Sequence, residues 1–153
     1  MIEARTYSSA LIPKQYLDYF AKRIEPKFCR VATTDSRSRP FVAAFRFGYD
    51  DRDIFFCSFS NRQTIKNIRR NTNVAVIVDR NDEHPTSYCT MRGTAKILTC
   101  DDGADFDYAL SQARETNKGL ADIVSRHDKG DYNKGGEFLI VQVAIKEIFS
   151  RMA

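Results

Sequence analysis

The alternation of apolar and polar residues predicts a chain built mainly of β-strands. In the segment Tyr88–Leu98, apolar or small residues take every second position from Cys89 to Ile97. A period of two indicates a strand with one face in a core and the other in water or against a partner. Gly93, in the middle of this segment, predicts a bulge or a bend. Further segments with strand composition are Phe28–Thr34, Phe41–Tyr49, Ile54–Phe59, Val74–Asp79 and Glu137–Ile145.

Three other segments have the apolar period of helices. The first is Lys14–Ile24, which Pro26 ends, after an extended arm formed by Met1–Pro13. A short helix begins at the Ser60–Gln63 junction and runs to about residue 70, because Ser60 and Gln63 have the spacing of a capping box. A longer helical segment follows residues 101–102, two aspartates that can cap it, and has a break at residues 117–119. Its apolar stripe consists of Phe106, Leu110, Ala113, Leu120 and Val124.

This order of elements predicts the fold class. Six strands joined by short turns, with helices at the start, after the third strand and before the last, indicate a mainly β protein with flanking helices. We expect a closed antiparallel barrel rather than a parallel sheet. No repeat or long linker divides the chain, so we expect a single domain over residues 1–153.

Composition and charge narrow the class of partner. Hydrophobic residues make up 42% of the 153 residues and charged residues 29%, which is typical of a globular domain. The net charge of +4 suits an anionic cofactor or substrate but is too small and scattered to indicate nucleic-acid binding. The sequence has neither a membrane-span pattern nor a signal-peptide pattern, so we expect a cytoplasmic protein that binds no membrane.

The cysteines and histidines do not form a metal or nucleophile motif. The four cysteines have no CxxC spacing, and His84 and His127 lie far apart. We therefore expect no metal site. Cys57 and Cys89 fall within predicted strands, where a free cysteine is usually a small core residue.

The start of the short helix is the candidate binding element. Backbone N–H groups at a helix N-terminus attract anions, and Arg62, Gln63 and Thr64 place one positive charge and polar groups beside it. The pattern predicts a phosphate site without a glycine-rich loop. A capped helix with a solvated arginine explains the same residues, and the pattern alone leaves both interpretations open.

Five segments in this order and spacing resemble the flavin-binding split barrels, the relatives of pyridoxamine 5′-phosphate oxidase. They are Arg30–Asp35, Arg39–Phe45, Tyr49–Phe56, Lys66–Val78 and Met91–Ile97. The resemblance extends from about residue 17 to residue 98. It implies a six-stranded antiparallel Greek-key split barrel and an FMN-binding flavoprotein, an oxidoreductase that acts as a homodimer with the flavin at the subunit interface.

The resemblance also implies the cofactor-binding residues. The second strand would run along the flavin ring, the end of the third would contact the ring and ribityl chain, and the short helix would take the phosphate. Tyr88 would reach across from the other subunit, and Arg46 is a candidate cation near the pyrimidine end of the ring. No residue is expected to serve as a dedicated acid, base or nucleophile. The cofactor-binding residues implied are Ala43, Ala44, Phe45, Arg46, Ser58, Phe59, Arg62, Gln63, Thr64, Lys66 and Tyr88.

Departures from the oxidase pattern argue against pyridoxamine phosphate as the substrate. Val42 replaces a basic residue, Thr64 replaces a lysine, and the arginine-rich C-terminal segment is absent from this sequence. Two alternatives within the fold stay open. One is a deazaflavin-dependent reductase, whose longer anionic cofactor tail could use Arg62, Arg69 and Arg70. The other is a flavin- or heme-binding module without turnover.

Overall fold

The structure is a computed structural model that describes residues 3–6, 11–23, 27–79, 87–120 and 136–151. Within these ranges the chain forms seven strands and three α-helices. The strands are β1 Glu3–Thr6, β2 Phe28–Thr34, β3 Pro40–Tyr49, β4 Asp53–Phe59, β5 Asn73–Asp79, β6 Tyr88–Leu98 and β7 Phe138–Arg151. The helices are α1 Lys14–Ala21, α2 Gln63–Arg70 and α3 Ala104–Thr116, with a short 3-10 turn, Cys100–Asp102, before α3.

Six of the strands close into an antiparallel barrel. The order is β7-β4-β3-β2-β5-β6, and β6 pairs again with β7. This confirms the predicted mainly β barrel with flanking helices. The register of β6 against β7 shifts between Arg92 and Gly93, which confirms the irregularity that the central glycine predicted.

The two ends of the sheet differ from the sequence-based prediction. Within the expected extended arm, β1 pairs with residues 147–150 of β7. Strand β7 itself continues to Arg151, beyond the predicted end at Ile145. The extension is held by two neighbours, since β1 and the first half of β6 pair with opposite edges of the same residues. Polar side chains interrupt the apolar pattern in this half of β7, so the strand predicted from that pattern ended too early.

One hydrophobic core fills the barrel. Inward side chains of neighbouring strands meet along rows such as Val31, Val76, Met91 and Ile148, all essentially buried. Helix α1 closes one end of the barrel with Phe20, whose ring meets that of Phe47 edge-on at 5.9 Å. The predicted apolar face of α1 therefore has a structural role. Ile24 and Pro26 lie outside the described residues.

A second core lies between α3 and the outside of the barrel. Phe106 and Ala113 of α3 pack with Phe55 of β4 and with β7. Helix and strand are in close contact at Gly48 of β3, where a Cβ would overlap the Cα of Ala113. A glycine is therefore required for this contact. The structure confirms the predicted break, because α3 ends at Thr116.

The predicted cap of α3 is wrong in detail. The residues at 101–102 belong to the 3-10 turn, where Asp102 forms a capping box with Thr99. Gly103, with a left-handed φ of 57°, then separates this turn from α3.

No helix among the described residues is long and apolar enough to span a membrane. Val124, His84 and His127 lie outside the described part of the chain.

Candidate functional site

A gap between two neighbouring strands forms the candidate site. Strands β3 and β4 pair only at their turn-proximal ends, from Phe47–Phe56 to Tyr49–Ile54. Beyond this point β3 continues along β2 and β4 continues along β7, so the two strands separate. The barrel is therefore split on this side.

Backbone groups of β3 face the gap. The Phe47 amide donates to the Lys27 carbonyl oxygen on the β2 side at 3.2 Å. Because successive residues of a strand direct their backbone groups to opposite edges, those of Val42 and Ala44 point toward β4. Within the described residues, no strand pairs with β3 at these positions on that side. The gap thus offers backbone donors and acceptors to a ligand.

A groove of about 450 Å³ occupies the gap, within the usual size range of small-molecule sites. Its wall is strongly aromatic, and the first turn of α2 closes one end. The lining residues are Phe41, Ala43, Ala44, Phe45, Cys57, Ser58, Phe59, Arg62, Gln63 and Thr64. The structure therefore brings together eight of the eleven residues that the sequence singled out.

Ser58 places an unsatisfied hydroxyl at this groove. The residue is 3% exposed, and among the described residues its Oγ has no hydrogen-bond partner. A buried polar atom without a partner is unfavourable by about 1–3 kcal/mol, so a ligand that supplies one gains in affinity. Ser58 is the polar feature of the groove that most directly indicates a ligand.

Helix α2 is fixed by buried contacts on one face. Asn67, 1% exposed, donates to Thr33 Oγ1 at 3.0 Å and accepts from Gln63 Nε2 at 2.8 Å. Ile65 and Ile68 lie in the barrel core. The amide nitrogen of Gln63 is thus occupied within the helix. The first turn of α2 is held at a fixed place beside the groove.

The predicted capping box at the start of α2 is wrong. Arg62 is the residue before the first helical turn, and in the described part of the chain no side-chain cap is found at this end. Instead, Ser60 Oγ accepts a hydrogen bond from the Glu137 amide at 2.8 Å. Its partner lies 77 residues away in the sequence, beyond the reach of a local pattern. The first N–H groups of α2 therefore have no side-chain cap from the residues that the structure describes.

The charge at this end of the groove is positive. Arg62 is exposed, forms no ion pair within the described residues, and stands at the N-terminus of a helix that contains no acidic residue. Burial raises the pKa of the Cys57 thiol, on the groove wall, to about 12, so this thiol adds no negative charge to the groove. The arrangement favours one anionic group at the α2 end and an apolar, aromatic group along the wall.

Three predicted site residues lie outside the groove lining. Lys66 is exposed on α2, one turn after Arg62. Arg46 follows Ala44 on the outer face of β3 and donates from Nη1 to the Gly119 carbonyl oxygen at 3.1 Å. Tyr88 begins β6 opposite Asp79, away from the groove of its own chain. Two lining residues, Phe41 and Cys57, were missed although both lie in predicted strands next to selected positions.

Comparison with known proteins identifies the family. The model of the pyridoxamine 5′-phosphate oxidase family matches residues 13–151. The chain belongs to this family. No curated protein matches the sequence at a significant level.

Among solved structures, the fold of this pyridoxamine 5′-phosphate oxidase family member is similar to the heme storage protein HutZ from Vibrio cholerae. The TM-score is 0.66 at 16% identity, over 87% of this chain and 89% of that one. An F420 reductase matches with a TM-score of 0.57 at 20% identity, over 84% of this chain and 92% of the reductase. A FAD-binding protein from Mesorhizobium loti matches with a TM-score of 0.61 at 15% identity, over 100% of this chain and 99% of that protein. At these identities the likeness shows the fold alone.

Proposed function

We propose that this protein binds FMN in the groove between β3 and β4 and acts as a flavin-dependent oxidoreductase. The observation that carries the proposal is the composition of this groove. It joins an aromatic wall to two polar features that lack partners within the described ranges, the buried hydroxyl of Ser58 and the charge of Arg62 beside an uncapped helix end. An aromatic ring, a hydroxylated chain and a terminal phosphate match these three features in the same order.

The residues present fit the cofactor. Arg62 and the first N–H groups of α2 would hold the phosphate, and Ser58 Oγ would bond the ribityl chain. The backbone of Val42 and Ala44 would bond the polar edge of the ring. Bound FMN would supply the redox chemistry, so the protein needs only to bind, orient and shield it.

The outer face of the barrel supports a homodimer with a shared site. Phe28 is 48% exposed and Val42 60% exposed, and both lie on the outer face of β2 and β3 beside Ala44. The same face continues across β5 to Thr90 of β6. A second copy packed here would cover these apolar side chains and close the open side of the groove. Tyr88 on this face would then reach the groove of the partner.

One observation favours a second cofactor, a deazaflavin with a longer anionic tail. Four exposed basic residues lie along α2 and at the residue before it, and no described acidic group lies within ion-pair distance of any of them. These residues are Arg62, Lys66, Arg69 and Arg70. A single phosphate needs only the first, whereas an extended tail would use the whole row.

Ligand titration tests the proposal. We expect purified protein to bind FMN and to show the absorption band of oxidised flavin, with tighter binding of FMN than of riboflavin. A tighter complex with a deazaflavin would favour the second cofactor. A Soret band with no flavin binding would support the heme-binding module and contradict the proposal.

A further inference from the structure

A buried asparagine connects the end of α3 to Arg46. Asn117 has no exposed surface, and its Nδ2 donates to the carbonyl oxygens of Lys27 and Phe47, both at 2.8 Å. Its Oδ1 accepts from the Gly119 amide at 3.1 Å. The Gly119 carbonyl in turn accepts from Arg46 Nη1. One side chain thus joins the barrel wall and the turn after α3, and through Gly119 it is linked to the Arg46 guanidinium.

Arg46 is held on a second side as well. Its guanidinium carbon lies 5.8 Å from the centre of the Phe28 ring, and the residue is half-buried. Arg46 lies two residues after the groove-lining Ala44 on the same face of β3. An arginine at this position could swing freely through solvent. The hydrogen bond to Gly119 instead restrains it near the end of the groove-lining segment of β3.

We propose that Asn117 is a positioning residue that sets the Arg46 guanidinium beside the ring end of the bound flavin. The inference rests on the proposed function. Adding two electrons and one proton to the ring leaves one negative charge on it, so a fixed cation nearby favours the reduced form over the oxidised form. Asn117 would influence the flavin only through Arg46.

A double-mutant cycle on the FMN-loaded protein tests this inference, with the reduction potential of the bound flavin as the readout. We expect Arg46→Gln to lower the potential, equivalent to a loss on the order of ten-fold in preference for reduced flavin. Asn117→Ser should lower it in the same direction by less. Added to Arg46→Gln, it should cause no further shift. A shift that is equal in both backgrounds, or absent, would overturn the inference.

Thr116→Val is the matched control. Thr116 Oγ1 accepts from the Tyr49 amide at 3.0 Å at the same junction, so its loss should lower thermal stability and leave the potential unchanged. If Asn117→Ser does not fold, Arg46→Lys provides the test, because it keeps the positive charge but loses the planar guanidinium with its fixed N–H donors. A potential unchanged in Arg46→Lys would contradict a need for precise positioning. Failure of the unsubstituted protein to bind any flavin would instead contradict the proposed function itself.

Discussion

Ser60 and Glu137 form a reciprocal pair of hydrogen bonds that joins the end of β4 to the start of β7. The Ser60 amide donates to the Glu137 carbonyl oxygen at 2.9 Å, and the Glu137 amide donates to Ser60 Oγ at 2.8 Å. The pair lies directly before α2. It therefore fixes where the chain leaves the barrel and enters the helix that ends the groove.

Gly136 makes this junction possible, and its substitution should disrupt it. Its φ is 90°, and a Cβ there would overlap Ser60 Oγ. We expect Gly136→Ala to lower the free energy of unfolding by about 2–3 kcal/mol, from backbone strain and the lost hydrogen bond. FMN binding should weaken with it. Chemical denaturation and ligand titration measure the two effects.

Gly103→Ala provides the control for Gly136→Ala. Gly103 also has a positive φ, but a Cβ there would meet no atom within 4 Å. We expect Gly103→Ala to lower the free energy of unfolding by about 1–2 kcal/mol through backbone strain alone. The FMN affinity should be unchanged. Equal effects of the two substitutions on FMN binding would show that the Ser60–Glu137 junction does not support the groove.

Substitution of Ser58 should weaken FMN binding without lowering the stability of the fold. Its Oγ is buried with no partner in the described part of the chain, so Ser58→Ala should leave the free energy of unfolding unchanged or raise it by up to about 1 kcal/mol. FMN affinity should fall about 3- to 10-fold. Ser150→Ala is the control, because Ser150 Oγ bonds the Tyr16 hydroxyl at 3.4 Å and its loss should cost stability only. Full FMN affinity in Ser58→Ala would remove Ser58 from the site.

The sequence predicted local features better than contacts between distant segments. The alternation in β6 placed Cys89 and Met91 inside the barrel, and both are buried. Eight of the residues that the family resemblance implied line a single groove, so the order of the segments brought together residues from β3, β4 and α2. Only the resemblance to split barrels implied the separation of β3 from β4, since strand pairing is not encoded in either strand alone. Asn117 was identified only as a helix break, because the acceptors of its buried amide lie 70 and 90 residues earlier.

The homodimer is tested by a charge on the outer face of the barrel. Ala44 is exposed, and Thr90 lies on the same face. We expect Ala44→Asp or Thr90→Glu to raise the dimer dissociation constant about ten-fold or more and to weaken FMN binding in parallel. Ser111→Glu, on the exposed side of α3, should change neither. Sedimentation showing a monomer with full FMN affinity would exclude a shared site.

Pyridoxamine phosphate should be a poor substrate or none. Val42 lies on the open outer face where the oxidase pattern has a basic residue, so a substrate phosphate lacks that charge. We expect turnover far below about 1 per second, the lower end of usual enzyme rates. Aerobic assay of FMN-loaded protein for pyridoxal phosphate and peroxide measures it, with NAD(P)H-dependent flavin reduction in parallel. Turnover at usual enzyme rates would show that other basic residues form a substrate phosphate site.

The most direct test of the FMN site is the affinity of Arg62→Ala for FMN and for riboflavin. Arg62 stands beside the uncapped end of α2, so its loss should weaken FMN binding by about 1.5–3 kcal/mol, or roughly ten- to a hundred-fold. Riboflavin, which lacks the phosphate, should bind almost as before. Arg69→Ala, at the other end of the same helix, should leave both affinities unchanged. An equal loss for FMN and riboflavin in Arg62→Ala would contradict the placement of the phosphate and of the cofactor site.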